Sequence, residues 1–91
     1  MILEWDPEKA ASNLVKHGVD FHEAATILAD PLSTTFADPA HSGDELRYLT
    51  IGSAVSGRIL VVAHTDRGEA VRLISARAAT PSERKFYEQG Q

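Results

Sequence analysis

The amino-acid sequence predicts an α+β fold, with helices near both ends of the chain and strands between them. Apolar residues recur at helical spacing up to about residue 30 and with a period near two from Leu32 onward. The strand-like runs are joined by short glycine-containing links at Ser56-Gly57 and Asp66-Arg67-Gly68, which favour antiparallel pairing. A helix-start signal, Thr80-Pro81-Ser82-Glu83, follows the last of these runs. The predicted order is therefore β-α-α-β-β-β-β-α.

The three helices are predicted from their caps. An aspartate followed by a proline starts the first helix, and a glycine after two basic residues stops it, which predicts Pro7–His17. A second cap, with an acid three residues further on, predicts a helix that opens at Asp20 and ends before Asp30-Pro31. The carboxy-terminal helix is expected to run from Pro81 to about Gln89.

Five strands are predicted, over residues 2–5, 32–37, 45–53, 58–65 and 69–76. Their short links make the last four an antiparallel four-stranded meander, to which the first adds a short strand. We expect the two amino-terminal helices to pack on one face of this sheet and the other face to be left for solvent or a ligand. The run Ile59 to Ala63 would present apolar side chains on both faces of the sheet, so its strand is expected to be central.

A chain of 91 residues can form one hydrophobic core, so we predict a single domain over residues 1–91. The absence of cysteine from the sequence excludes a disulfide framework and a thiolate metal site. The longest apolar run, Ile59 to Ala63, is far shorter than the roughly 20 residues that cross a bilayer. The acidic amino terminus also lacks the charge pattern of a signal peptide. We therefore expect a cytoplasmic protein with no membrane contact.

Charge is distributed unevenly along the chain. Residues 1–46 carry nine acids against two lysines, a net −7, and residues 47–91 carry seven bases against four acids, a net +3. A protein of net charge −4 has no bulk attraction for a polyanion, so a nucleic-acid function would depend on a local cluster of cations. Six of the seven bases in the second half are arginines, whose guanidinium groups fit phosphate bidentately. The alternative is an ordinary solvated charged surface.

Familiar catalytic motifs are absent from the sequence. The four histidines, His17, His22, His41 and His64, do not have the i, i+4 spacing of helical metal ligands, and no HExxH run occurs. There is no GxSxG nucleophile elbow, Walker motif or GxGxxG loop. We therefore expect neither a metal site nor a cofactor.

A set of basic, imidazole and hydroxyl groups remains as the candidate site. Its members are Lys16, His17, Arg47, His64, Arg72, Ser75 and Arg77. Metal-free RNA cleavage needs such groups, because the 2′-hydroxyl loses a proton, the phosphorane gains negative charge and the 5′-oxygen gains a proton. Structural alternatives stay open: a helix-end charge pair for Lys16-His17, a half-buried sheet position for His64, and surface ion pairs for the arginines.

Several short segments follow one another in a particular order and spacing. They are Glu4-Trp5-Asp6, Lys16-His17-Gly18-Val19, Asp30-Pro31-Leu32, Glu45-Leu46-Arg47-Tyr48, Val61-Val62-Ala63-His64-Thr65, the run from Arg72 to Thr80, and Glu83-Arg84 with Tyr87-Glu88. Each is a weak motif alone, but their combination is specific. In these segments, and over essentially its whole length, the chain resembles the BrnT family of toxins from bacterial type II toxin–antitoxin modules.

The resemblance implies a RelE-like fold and a metal-independent endoribonuclease that inhibits translation by cutting RNA. It also implies a hetero-oligomer with a BrnA-type ribbon-helix-helix antitoxin, through which the complex would contact operator DNA. Carried over to this sequence, it implies catalytic roles for His17, His64, Arg72 and Arg77 and substrate binding by Lys16, Arg47 and Ser75. Either His17 or His64 would move protons, and the arginines would bind phosphate.

Two features leave alternatives open. Side chains alternate along an unbroken strand, so Arg72 and Arg77 are expected on opposite faces unless a bulge or a strand end re-aims one of them. The net charge of −4 is low for a protein that binds RNA. A catalytically weak or inactive relative, kept as an antitoxin-binding and autoregulating module, is therefore the alternative to an active ribonuclease.

Overall fold

The structure is a computed structural model that describes residues 1–43 and 45–90. Its strands and α-helices are β1 (Ile2–Glu4), α1 (Pro7–His17), α2 (Phe21–Ala25), β2 (Thr34–Ala37), β3 (Arg47–Ser53), β4 (Ile59–Arg67), β5 (Ala70–Ala78) and α3 (Pro81–Gln89). Two short 3-10 turns lie at Thr26–Ala29 and Pro39–His41. The predicted α+β class is confirmed.

The five strands form one mixed sheet with the order β1-β5-β4-β3-β2. Strands β2 to β5 pair with their chain neighbours in antiparallel fashion, as short links require. Strand β1 lies parallel to β5, with Ile2 opposite Ala70 and Glu4 opposite Arg72. The sheet therefore has a parallel edge that the sequence pattern did not predict.

Local caps define α1, and its predicted bounds are confirmed. The Asp6 side chain accepts a hydrogen bond from the backbone N–H of Glu8 at 2.9 Å. Gly18 ends the helix with a φ of +68°, a conformation that costs a side-chain-bearing residue more than glycine.

The second helix begins where predicted but is shorter than expected. Asp20 caps it by accepting from the backbone N–H of His22, and regular α geometry lasts only to Ala25. The Thr26 hydroxyl then donates to the carbonyl of Glu23 at 2.6 Å, and the chain tightens into a 3-10 turn.

The main core lies between the two amino-terminal helices and one face of the sheet, which we call the helical face. Its buried residues are Val19, Phe21, Ala24, Ile27, Ala54, Leu60, Val62, Leu73 and Ala76. Gly52 permits close contact there, because a Cβ atom at this position would lie 3.1 Å from the Cβ of Ile27.

The other face of the sheet, which we call the open face, is covered in part by α3. Tyr87 of α3 packs against Ile51 and Val61 in a second, smaller cluster. The expectation that this whole face is left free is therefore wrong, because α3 needs a surface on which to bury Tyr87. Within the described residues, no helix is long and apolar enough to cross a membrane.

One buried side chain joins α1 to the sheet. The amide nitrogen of Asn13 donates to the carbonyls of Val19 and Ala76, and its oxygen accepts from the backbone N–H of Ala76. The bonds are 2.9–3.0 Å long, and the two to Ala76 satisfy backbone groups on β5 that have no strand beside them. They hold the carboxy-terminal half of α1 against the middle of β5.

Candidate functional site

A β-bulge in β5 brings the two arginines of that strand to the same face. Arg77 is opposite Val61 and Arg72 is opposite Thr65, although the register shifts by one residue between these pairs. Ile74 is the extra residue, since Ala63 pairs with Ser75 and His64 with Leu73. Val61 and Thr65 are four residues apart on β4, so their side chains lie on the same face of the sheet, the open face. Their partners Arg77 and Arg72 therefore both project from the open face.

Strand β3 adds a further candidate arginine to this face. Arg47 of β3 is opposite Thr65, so Arg47, Thr65 and Arg72 form a row across three strands. Thr65 is buried, and its hydroxyl donates to the carbonyl of Leu46 at 2.7 Å. The two outer strands of this row therefore each carry an arginine. The threonine between them is buried, and its hydroxyl already has a hydrogen-bond partner.

Two adjoining depressions contain most of the candidate residues. The first, of about 240 Å³, lies on the open face and is lined by Asp38, His41, Arg47, Leu49, Ala63, Ile74, Ser75 and Arg77. The second, of about 180 Å³, lies beside α1 and is lined by Lys9, Ser12, Asn13, Lys16, His17, Ile74 and Ser75. They share the bulge residues Ile74 and Ser75, and together we call them the groove.

The groove thus unites five of the seven candidate residues, namely Lys16, His17, Arg47, Ser75 and Arg77. Arg72 projects from the same face without lining either depression. The remaining candidate, His64, lies elsewhere.

His64 points into the helical side of the sheet and is buried. Its Nε2 lies 2.7 Å from the hydroxyl of Thr50, and its ring stacks on Tyr48 at 5.9 Å between centroids. Among the described residues, its Nδ1 atom has no hydrogen-bond partner. Burial lowers the pKa of His64, and the charge of Asp66 opposes this shift. The structure therefore does not bring His64 together with the groove residues.

The three candidate arginines, Arg47, Arg72 and Arg77, differ in their carboxylate partners. Arg77 binds Glu83 bidentately, with N–O distances of 2.6 and 3.0 Å, and this contact lowers the pKa of Glu83 to about 2. Arg72 is 3.7 Å from Glu4 on β1. Arg47 forms no ion pair with a carboxylate of the described residues.

Among the groove residues that the sequence did not assign to the site are His41 and Asp38. From the sequence, His41 is considered only as a possible metal ligand and Asp38 only as part of a loop. In the structure, Nδ1 of His41 lies 3.0 and 3.2 Å from the carboxylate oxygens of Asp38. The available signal was the spacing Asp38-Pro39-Ala40-His41, in which a proline-initiated turn brings residues three apart together. No three His, Asp or Glu side chains group as metal ligands within residues 1–43 and 45–90.

Comparison with known proteins adds to this geometry. A family model described as the ribonuclease toxin BrnT of a type II toxin–antitoxin system matches residues 5–83. The crystal structure of the Brucella abortus ribonuclease toxin BrnT is similar, with 28% sequence identity and a TM-score of 0.69. The match covers 88% of this chain and 99% of the Brucella chain. No curated protein matches the sequence.

Proposed function

This chain belongs to the BrnT family of ribonuclease toxins of type II toxin–antitoxin systems, and we propose that it inhibits translation by cutting RNA in the groove. The observation that carries the proposal is the bulge at Ile74. Through it, Arg77 joins Arg47 on one face, and Ser75 lies where the arginine side of the groove meets Lys16 and His17. We also propose that the fold is RelE-like, on the evidence of its antiparallel β2–β5 meander and two amino-terminal helices.

The groove offers the groups that RNA cleavage without a metal requires. Arg47 and Arg77 supply guanidinium groups that can bind the scissile phosphate as it gains negative charge. Lys16 adds a cation for a neighbouring phosphate, and the imidazole of His17 can accept or donate a proton. In this proposal Arg72 binds the RNA backbone further along the open face, and His64 supports the fold from the other side of the sheet.

Membership of the family implies an antitoxin partner. We propose that this is a BrnA-type ribbon-helix-helix protein, which neutralises the toxin in a cytoplasmic hetero-oligomer and makes the contacts with operator DNA. Covering the groove would hide its cations from RNA. A toxin–antitoxin complex should therefore neither bind nor cut RNA, and equal activity of complex and free toxin would contradict neutralisation by masking.

A specific observation supports the alternative of a weakly active or inactive regulator. Of the candidate arginines Arg47, Arg72 and Arg77, two already have carboxylate partners, Arg77 with Glu83 and Arg72 with Glu4. A phosphate would have to compete with these carboxylates, and the net charge of −4 gives no general attraction for RNA. Such a protein would bind its antitoxin and regulate transcription without cutting RNA.

Incubation of the purified free protein with RNA in excess EDTA distinguishes the two functions. The proposal predicts cleavage products that carry 2′,3′-cyclic phosphate ends, because the 2′-oxygen is the nucleophile. Arg47→Ala with Arg77→Ala should abolish these products and leave antitoxin binding detectable. Intact RNA with the folded, antitoxin-binding wild-type protein would favour the regulator instead.

A further inference from the structure

The Asp38–His41 pair differs from an ordinary surface contact in how it is held. The Asp38 side chain is only 15% exposed, whereas the His41 ring is 70% exposed. The carboxylate lies within hydrogen-bond distance of Nδ1 through both of its oxygens. Nδ1 therefore serves as the donor to Asp38, which leaves Nε2 for a ligand or solvent.

The loop that carries His41 is attached to the backbone of Arg47. The N–H of Asp38 donates to the carbonyl of Arg47 at 2.8 Å. Ser42 completes the attachment, because its hydroxyl donates to the carbonyl of Asp38 and accepts from the N–H of Arg47. His41 and Arg47 are thus held in one local unit, and both line the depression on the open face.

A second Asp–His pair in the same chain provides a comparison. Nδ1 of His22 lies 3.1 Å from the carboxylate of Asp20, and this ring packs edge-on against Trp5 at 4.9 Å. Asp20 is 52% exposed, and neither member lines the groove. The two pairs share their chemistry and differ in how far the carboxylate is exposed and in whether arginines lie beside the ring.

We propose that His41 is a proton-transfer residue of RNA cleavage and that Asp38 is the residue that positions it, an inference that rests on the proposed function. In this reaction the 2′-oxygen forms a bond to phosphorus and loses its proton to a base. The bond from phosphorus to the 5′-oxygen breaks, and that oxygen takes a proton from an acid. His41 on the arginine side and His17 on the α1 side supply these two groups, so the number of protons on the protein is unchanged overall.

The pH dependence of cleavage provides the most informative measurement. The charged side chains that line the depression with His41 are those of Asp38, Arg47 and Arg77, the last of which is held by Glu83. The limb of the pH–rate profile to which His41 contributes is therefore a readout that a merely structural role of this residue would not change.

His41→Asn should lower kcat about 100-fold or more and remove one limb of that profile. Its affinity for a non-cleavable 2′-O-methyl oligoribonucleotide should stay within about threefold, because Arg47 and Arg77 still bind phosphate. Asp38→Asn should lower kcat at least about tenfold, since an amide can hold the ring in the wrong tautomer. The matched control, His22→Asn, should leave kcat and the pH profile within about twofold of wild type.

The outcomes separate this proposal from the one on which it rests. A wild-type protein that cuts no RNA would refute both. Cleavage by His41→Asn at the wild-type rate, with both limbs of the profile intact, would refute the role of His41 and leave the ribonuclease function standing. Parallel losses in His41→Asn and His22→Asn, together with lower melting temperatures, would also overturn the proposal, since both pairs would then be structural.

Discussion

Replacement of Arg77 by alanine is expected to reduce RNA cleavage far more than folding stability. The Arg77 side chain is 41% exposed and that of Glu83 is 27% exposed, so solvent screens much of their attraction. We expect the lost ion pair to cost about 1 kcal/mol, which lowers Tm by about 4–8 °C in a domain of this size. Loss of a phosphate contact in the transition state costs about 3 kcal/mol, or roughly a hundredfold in kcat/KM.

Glu83→Gln is the matched control, because it removes the charge of the same ion pair and keeps Arg77. The amide oxygen of glutamine can still accept from the backbone N–H of Thr80, as Glu83 does in the α3 capping box. We expect Glu83→Gln to lower Tm like Arg77→Ala and to leave cleavage intact. The assay combines thermal unfolding with the initial rate of cleavage of a labelled RNA. If both variants lost activity in proportion to stability, the role of Arg77 would be structural and the reasoning would be refuted.

Three further predictions concern stability and proton transfer. Hydrogen bonds from Arg58 lower the pKa of Glu23 from 4.5 to about 2, so the stability that this carboxylate contributes should be lost as pH falls through that interval. Urea unfolding at pH 7 and pH 3 measures the loss of stability. The loss should be smaller in Glu23→Gln, and an equal loss in this variant would contradict the assignment of the pH dependence to Glu23. Asn13→Ala should cost about 3 kcal/mol in urea unfolding, because three buried hydrogen bonds disappear and leave buried backbone groups unpaired; a cost below about 1 kcal/mol would contradict this. His17→Asn should remove one limb of the pH–rate profile, because the proposal assigns a proton transfer to this imidazole. His64→Asn should lower Tm and leave the profile unchanged, and the reverse pattern would transfer the proton-transfer role to His64.

The parts of the fold that depend on local interactions could be predicted from the sequence. The bounds of α1 follow from the cap at Asp6 and the left-handed stop at Gly18, both of which act within one turn. The start of α3 likewise follows from the Thr80 capping box. The end of α2 was not predictable in the same way, because a side-chain hydrogen bond of Thr26 competes with the regular helix.

The parts that depend on strand register could not be predicted. Nothing in the run from Arg72 to Arg77 marks Ile74 as the extra residue of a bulge, although that residue determines which face each arginine occupies. The residues before His64 are apolar at every position, so no alternation of apolar and polar side chains indicates which face of the sheet is buried. The sequence therefore could not assign this histidine to the buried face. His41 joins the groove only because the loop after β2 is bonded to the backbone of Arg47.

The central claim is that RNA binds in the groove formed at the bulge. Titration of the ¹⁵N-labelled protein with a 2′-O-methyl oligoribonucleotide, followed by NMR chemical shifts, tests this claim most directly. We predict the largest shifts at the amides of Lys16, Arg47, Ser75 and Arg77, with saturation at one site. Shifts confined to the exposed basic surface of α3, around Arg84 and Lys85, would contradict the claim.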